Sequence, residues 1–278
     1  WALLPGSPAI DAGTNTGCPS TDQRGVTRPI NGVCDIGSFE AVIPSLTAIS
    51  PSAATIGDSW FTMTLTGSNL LSGATVLWGG SPRATTFVSG TQLTAVILAS
   101  DLSAAGTITV AVQNPAPDAY TSSAQNFIVN KAGTSTTLTS SLTSSVFGQS
   151  VTFTATVTLG AGTPTGSVQF FANGLSLGTS PLAGNAATLV TGTLSVATHS
   201  ITATYQGDTS FNASTASPVS QTVNRADTTT TVTGSPNPSV FRQSVTFTAT
   251  VAVVAPGAGT PTGSVQFFAN GLSLGTSP

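Results

Sequence analysis

The sequence predicts an all-β chain of tandem two-layer sandwiches, and three observations predict it: period-two alternation of apolar and hydroxyl residues, strand-sized runs cut by turn signals, and an internal repeat. Val151, Phe153, Ala155 and Val157 alternate with Thr152, Thr154 and Thr156, and Ile201, Ala203 and Tyr205 alternate with Thr202 and Thr204. Each run presents one apolar face and one hydroxyl-lined face, as a half-buried strand does. Turn signals fall at 160–166, Asn173-Gly174, Gly184-Asn185 and Gly207-Asp208, and short strands at that spacing suit a sandwich. The repeat is explicit: Thr163 to Pro181 reads TPTGSVQFFANGLSLGTSP and Thr260 to Pro278 reads the same, while SVFGQSVTFTATV from Ser145 matches SVFRQSVTFTATV from Ser239. The second copy is three residues longer around Val254 to Pro256, in a Gly/Pro/Ala stretch that reads as a loop.

Composition excludes several functions. Charged residues make up 5% of the chain where about 25% is usual, so solubility rests on hydroxyls and amides. Lys131, Glu40 and His199 are each the one residue of their type. With a net charge of -3 and no basic stripe to neutralise phosphates, nucleic acid is not an expected partner. The longest apolar runs, such as Val251 to Ala255, fall short of the roughly 18 residues of a membrane helix, so no membrane insertion is expected. The chain starts at Trp1 and stops within a repeat, and both ends are expected to be truncations.

Residues 1–44 stand apart. They hold Cys18 and Cys34, whose isolation in a loop-rich stretch suits a disulfide in an oxidising compartment; the alternative is two buried free thiols. They also hold Asp11, Asp22, Asp35, Glu40, Arg24 and Arg28, four of the nine acidic and two of the six basic residues. The motifs SPAIDAG (from Ser7), CPSTDQRGVTRP (from Cys18) and CDIGSFE (from Cys34) resemble the C-terminal closing segment of secreted right-handed parallel β-helix proteins, including those near the polymorphic outer-membrane-protein type. The resemblance implies a β-helix upstream, with Asp11, Asp22, Asp35, Arg24 and Arg28 as a structural charge cluster in its cap. Paired carboxylates also suit a glycosidase dyad or a Ca2+ site. Ion pairing is the reading preferred, with no cofactor.

Residues 45–129 alternate Phe61, Met63 and Leu65 with Thr62, Thr64 and Thr66, and Ile108, Val110 and Val112 with Thr107, Thr109 and Ala111, again a sandwich pattern. The runs Leu46 to Leu70, VLWGG (from Val76), TQLTAVIL (from Thr91) and AGTITVAVQNP (from Ala105) resemble the IPT/TIG type of Ig-like fold. Asp58-Ser59-Trp60 departs from that pattern where the second strand begins. Residues 130–223 form a complete repeat. Its VTFTATV (from Val151), GSVQFFANG (from Gly166) and TYQGDTSFNAS (from Thr204) resemble the bacterial Ig-like domains found in tandem in large surface proteins. Residues 224–278 are a truncated second copy. They lack the counterpart of 182–223, so they are expected to be only partly ordered.

These resemblances imply a non-catalytic structural or adhesive stalk of a large bacterial secreted or cell-surface protein, with an unknown surface protein or glycan as partner. The alternative is an accessory region of a carbohydrate-active enzyme whose catalytic β-helix lies upstream. His199 is the single candidate for a catalytic base, and its register with Ile201 and Ala203 reads instead as a sandwich cap. Trp60, Trp78, Tyr120 and Phe171 are the candidate exposed aromatics for stacking on a sugar ring.

Overall fold

The computed structural model describes residues 2–160 and 162–278. Trp1 and Ala161, the latter inside the turn expected at 160–166, lie outside the described residues. The chain divides into two compact units, 1–132 and 133–278.

In the first unit, residues 2–44 are a run of turns with one isolated antiparallel bridge, Thr21 to Thr27. The strands that follow are β1 (Ser45–Ser50), β2 (Ala53–Thr55), β3 (Phe61–Ser68), β4 (Thr75–Trp78), β5 (Ser81–Arg83), β6 (Thr85–Ser89), β7 (Gln92–Ile97), β8 (Gly106–Gln113) and β9 (Gln125–Asn130). They form two sheets, ordered β1-β3-β7-β6 and β2-β9-β8-β4-β5. Every pairing is antiparallel except that of β2 with β9. The alternation decides which face goes inward, because side chains on a strand switch sides at each residue. Met63, Leu65, Leu93, Ile97, Val76 and Val110 are fully buried between the sheets, while Thr62 and Thr66 face water. Phe127 fills the centre, stacked on Phe61 at 5.8 Å and tilted against Trp78 at 4.9 Å between ring centroids.

The second unit begins with β10 (Ser135–Ser140), β11 (Ser144–Val146), β12 (Val151–Thr158), β13 (Ser167–Ala172), β14 (Leu175–Pro181), β15 (Ala186–Thr191), β16 (Ala197–Tyr205), β17 (Ser214–Thr215) and β18 (Val219–Asn224). Sheet β10-β12-β15 packs against sheet β11-β18-β16-β13-β14, with β17 attached to β16. The inward residues Phe153, Ala155, Val157, Val168, Phe170, Ile201, Ala203 and Tyr205 are all fully buried. The hairpin between β13 and β14 turns on Asn173 (φ 51°) and Gly174 (φ 81°), the two left-handed positions of a type I′ turn, which asparagine and glycine tolerate.

The repeat continues in β19 (Thr228–Ser235), β20 (Thr246–Val253), β21 (Val265–Ala269) and β22 (Leu272–Ser277). Here only two-stranded ladders form, β19 with β20 and β21 with β22. Phe247, the counterpart of buried Phe153, is 49% exposed. The inserted residues Val254 to Pro256 fall in the turn after β20. Among the described residues no helix is long and apolar enough to cross a membrane.

Candidate functional site

Five of the charge-bearing residues of the opening segment, Asp22, Arg24, Arg28, Asp35 and Glu40, meet in one cluster. Asp22 sits in a tight turn, where its Oδ1 accepts from the backbone N–H of Arg24 (2.7 Å) and Val26 (3.0 Å). Its Oδ2 accepts from Arg24 Nε (2.9 Å), Arg24 Nη2 (2.8 Å) and the N–H of Glu40 (3.1 Å). Burial alone pushes this carboxyl up, but the Glu40 N–H, the Arg24 guanidinium and the remaining N–H donors outweigh it and hold the group down at about 2. The Arg24 guanidinium also donates to the Glu40 carbonyl (2.6 Å) and lies 3.6 Å from the centroid of the Phe39 ring.

A second layer surrounds Glu40, which is fully buried. Its Oε2 accepts from Arg28 Nε (2.9 Å) and the N–H of Asp35 (3.0 Å), and its Oε1 from the N–H of Ile30 (2.6 Å). Arg28 Nη1 and Nη2 donate to the carbonyls of Gly37 and Asp35. The Asp35 carboxylate accepts from the N–H of Asp11 and of Ala41, both at 2.6 Å. Asp11 thus enters the cluster through its backbone, and its side chain is exposed. Cys18 and Cys34 are joined by a disulfide with Cα atoms 6.6 Å apart.

One member was missed from sequence. Asp118, in the loop between β8 and β9, accepts from Arg24 Nη1 (2.7 Å) and from the N–H of Val42 (3.0 Å). Nothing in the spacing of the opening motifs points to a loop of the following sandwich. Asn114 and Tyr120 of the same loop bond the Val42 and Leu3 carbonyls, and Asn69 bonds that of Ile43.

Chemically, this arrangement turns its carboxylate oxygens toward N–H donors. A cation would have to displace guanidinium and amide groups to reach them. Among the described residues no group of three or more His, Cys, Asp or Glu side chains is arranged to hold a metal ion.

The candidate aromatics separate. Trp78 (5% exposed) belongs to the sandwich core and Tyr120 (3%) is sealed beneath the opening segment, so neither offers a stacking face. Trp78 shares the inward register of Val76, and Tyr120 needs its hydroxyl partner Leu3. Phe171 is half-buried, and Trp60, before β3, is 63% exposed. His199 is buried on the face of Ile201. Its Nε2 donates to the Ser195 carbonyl (2.8 Å), and Nδ1 faces Asn173 Nδ2 (3.3 Å), an amide oriented by the Ser200 N–H on its Oδ1.

The turn Gly207–Phe211 carries a second anionic staple. Asp208 accepts from the Thr165 N–H and hydroxyl and from the N–H groups of Ser210 and Phe211. Burial raises its pKa, and these donors together lower it to about 2. Beside it, burial and the Asp208 charge push the Tyr205 phenol up to about 12, and that hydroxyl donates to the Thr165 carbonyl (2.9 Å).

Residues 44–129 match the family model of the IPT/TIG domain, and residues 136–224 match that of the bacterial Ig-like domain (group 3). No curated protein matches the chain. Among solved structures, the fibronectin(III)-like modules of Clostridium thermocellum CbhA are similar at 15% identity, over 66% of this chain and 94% of that one, with a TM-score of 0.30. The Yersinia pseudotuberculosis adhesin InvE is similar at 15% identity, over 64% of this chain and 58% of that one, with a TM-score of 0.39. A 1.5-MDa bacterial ice-binding adhesin is similar at 19% identity, over 70% and 69%, with a TM-score of 0.29.

Proposed function

We propose that this chain, which carries an IPT/TIG domain followed by a bacterial Ig-like domain, is a non-catalytic structural or adhesive stalk of a bacterial secreted or cell-surface protein. The opening segment serves as the closing cap of an upstream β-helix, and its charge cluster and disulfide are structural. The observation that carries this reading is the state of the carboxylates: the side chains of Asp22, Asp35 and Glu40 are engaged by backbone N–H groups and guanidinium groups. A reaction centre needs a group free to meet a substrate. A disulfide fits an oxidising compartment outside the cytoplasm.

The test pairs stability with turnover. On a panel of polysaccharides the chain is expected to release no product, and Asp22→Asn is expected to lower the melting temperature of the first unit. Hydrolysis abolished by Asp22→Asn at unchanged melting temperature would overturn the reading. One observation favours the accessory, carbohydrate-binding alternative: the open indole of Trp60, since a sugar ring stacks on such a face. Retention on a glycan array that is lost in Trp60→Ala would favour it over a passive spacer.

A further inference from the structure

The turn that precedes β12 occurs twice, and the two copies are built alike. In the first, the Gln149 N–H donates to the Val146 carbonyl at 3.0 Å and Gln149 Oε1 accepts from the Val146 N–H at 3.0 Å. In the second, Gln243 and Val240 make the same two bonds at the same distances. Between them lies one change, Gly148 in the first copy and Arg242 in the second, both left-handed at φ 83° and 65°.

That change falls where the second copy touches the first. The Ala258 N–H donates to the Phe147 carbonyl at 3.1 Å. A Cβ built on Gly148 would lie 2.6 Å from Ala258 N and 2.7 Å from its O. Those are backbone atoms, which cannot swing aside, so only glycine admits the approach. Next to it, a Cβ on Gly259 would lie 3.0 Å from the Phe147 ring. The loop bearing Ala258 and Gly259 is the one lengthened by Val254 to Pro256. In the first copy the equivalent glycine, Gly162, seats a ring of its own domain, Phe211, at 2.8 Å from a Cβ built there. Phe147 is 40% exposed, whereas its counterpart Phe241 is 90% exposed with the Arg242 guanidinium 5.4 Å over the ring.

We propose that the turn Val146–Gln149 is a docking element for the loop Gly257–Gly259 of the following repeat, and that glycine or arginine at its third position decides whether the junction locks. Gly148 permits the backbone of the next repeat to close on Phe147. Arg242 bars the same approach on the second copy, where the Phe241 ring stays 90% exposed. Repeats that are near-identical in sequence thereby acquire joints of different stiffness from one side chain, where small interfaces otherwise leave neighbouring domains free to move.

The experiment places spin labels on exposed strand positions of the full chain, in Thr139→Cys and Thr233→Cys, and reads the distance distribution between them. The native chain is expected to give one narrow distance. Gly148→Arg is expected to lose it for a broad distribution with the strand content unchanged, because Arg242 already occupies that turn geometry. A second variant lacking Val254 to Pro256 is expected to do the same without touching the turn. A broad distribution in the native chain, or a narrow one retained in Gly148→Arg, would overturn the proposal.

Discussion

Arg24 engages two carboxylates, one carbonyl and one aromatic ring. The side chains of Asp22 and Asp118 are 0% and 3% exposed, so Arg24→Ala leaves two sequestered anions without a counter-charge. Breaking a buried pair costs about 3–5 kcal/mol, and because Arg24 itself is 22% exposed the expected loss is nearer about 2–3 kcal/mol, read as a lower urea midpoint. Arg24→Lys should recover little of it, since an ammonium cannot bridge both carboxylates in the guanidinium plane. The same contacts fix a pH dependence. Asp22 is lowered from 3.8 to about 2, so its stabilisation is complete above pH 4 and is lost as the pH falls through about 2. The linkage is worth about 2 kcal/mol, and a urea series between pH 5 and pH 2 should show it, flattened in Asp22→Asn. The gathering of charge in residues 1–44 was legible in sequence because ionic residues are so scarce elsewhere. Asp118 was not, because a partner brought in by a distant loop of the sandwich leaves no trace in local spacing. Trp78 was legible in principle: it shares the inward register of Val76, and alternation outweighs the bare presence of an indole.

Strand β12 and strand β20 share the run TFTATV, from Thr152 and Thr246, yet they have different surroundings. The first is paired on both edges, by β10 and β15, and faces the sheet that contains β16. The second has β19 alone. Period-two alternation therefore specifies which residues turn inward, while burial depends on whether opposing strands exist, and alternation says nothing of that. Backbone amides in a ladder with an open edge and an uncovered face open at low free energy. Exchange of the Thr246 to Val251 amides is expected to be far faster than that of Thr152 to Val157, measured by amide hydrogen exchange on the intact chain. Equal protection in a monomer would mean that two-stranded ladders suffice here. The turn at Asp208 makes a companion case in which sequence was informative, since Gly207-Asp208 was a visible turn signal. Asp208→Ala removes the acceptor for four donors, Thr165 N–H and hydroxyl and the N–H of Ser210 and Phe211. A loss of about 1–3 kcal/mol is expected, as for donors left without an acceptor, with the first unit unaffected in calorimetry.

For the first unit taken whole, the question is whether residues 2–44 fold independently. Their own apolar interior is slight, chiefly Cys34, Phe39, Ala41 and Val42, and a piece of that size rarely sustains a fold without help. The disulfide supplies some of it, about 3 kcal/mol for a loop of this length in the chain-entropy model. The rest comes from the sandwich: Asp118 holds Arg24 and the Val42 N–H, Asn114 and Asn69 take the Val42 and Ile43 carbonyls, and the Tyr120 hydroxyl reaches Leu3. The dependence runs one way, because the sandwich has a closed core of its own around Phe127. Segment and sandwich should therefore melt in a single transition in the native chain, with tryptic cleavage after Arg24 appearing only as the near-ultraviolet signal of Trp78 is lost. In Asp118→Ala the two readouts should separate, cleavage moving to lower denaturant while the Trp78 signal holds. Reduction of Cys18–Cys34 should separate them in the same direction. Cleavage that precedes the loss of the Trp78 signal in the unmodified, oxidised chain would show that the segment is only draped on the sandwich, and the interface through Asp118 would then carry no folding energy.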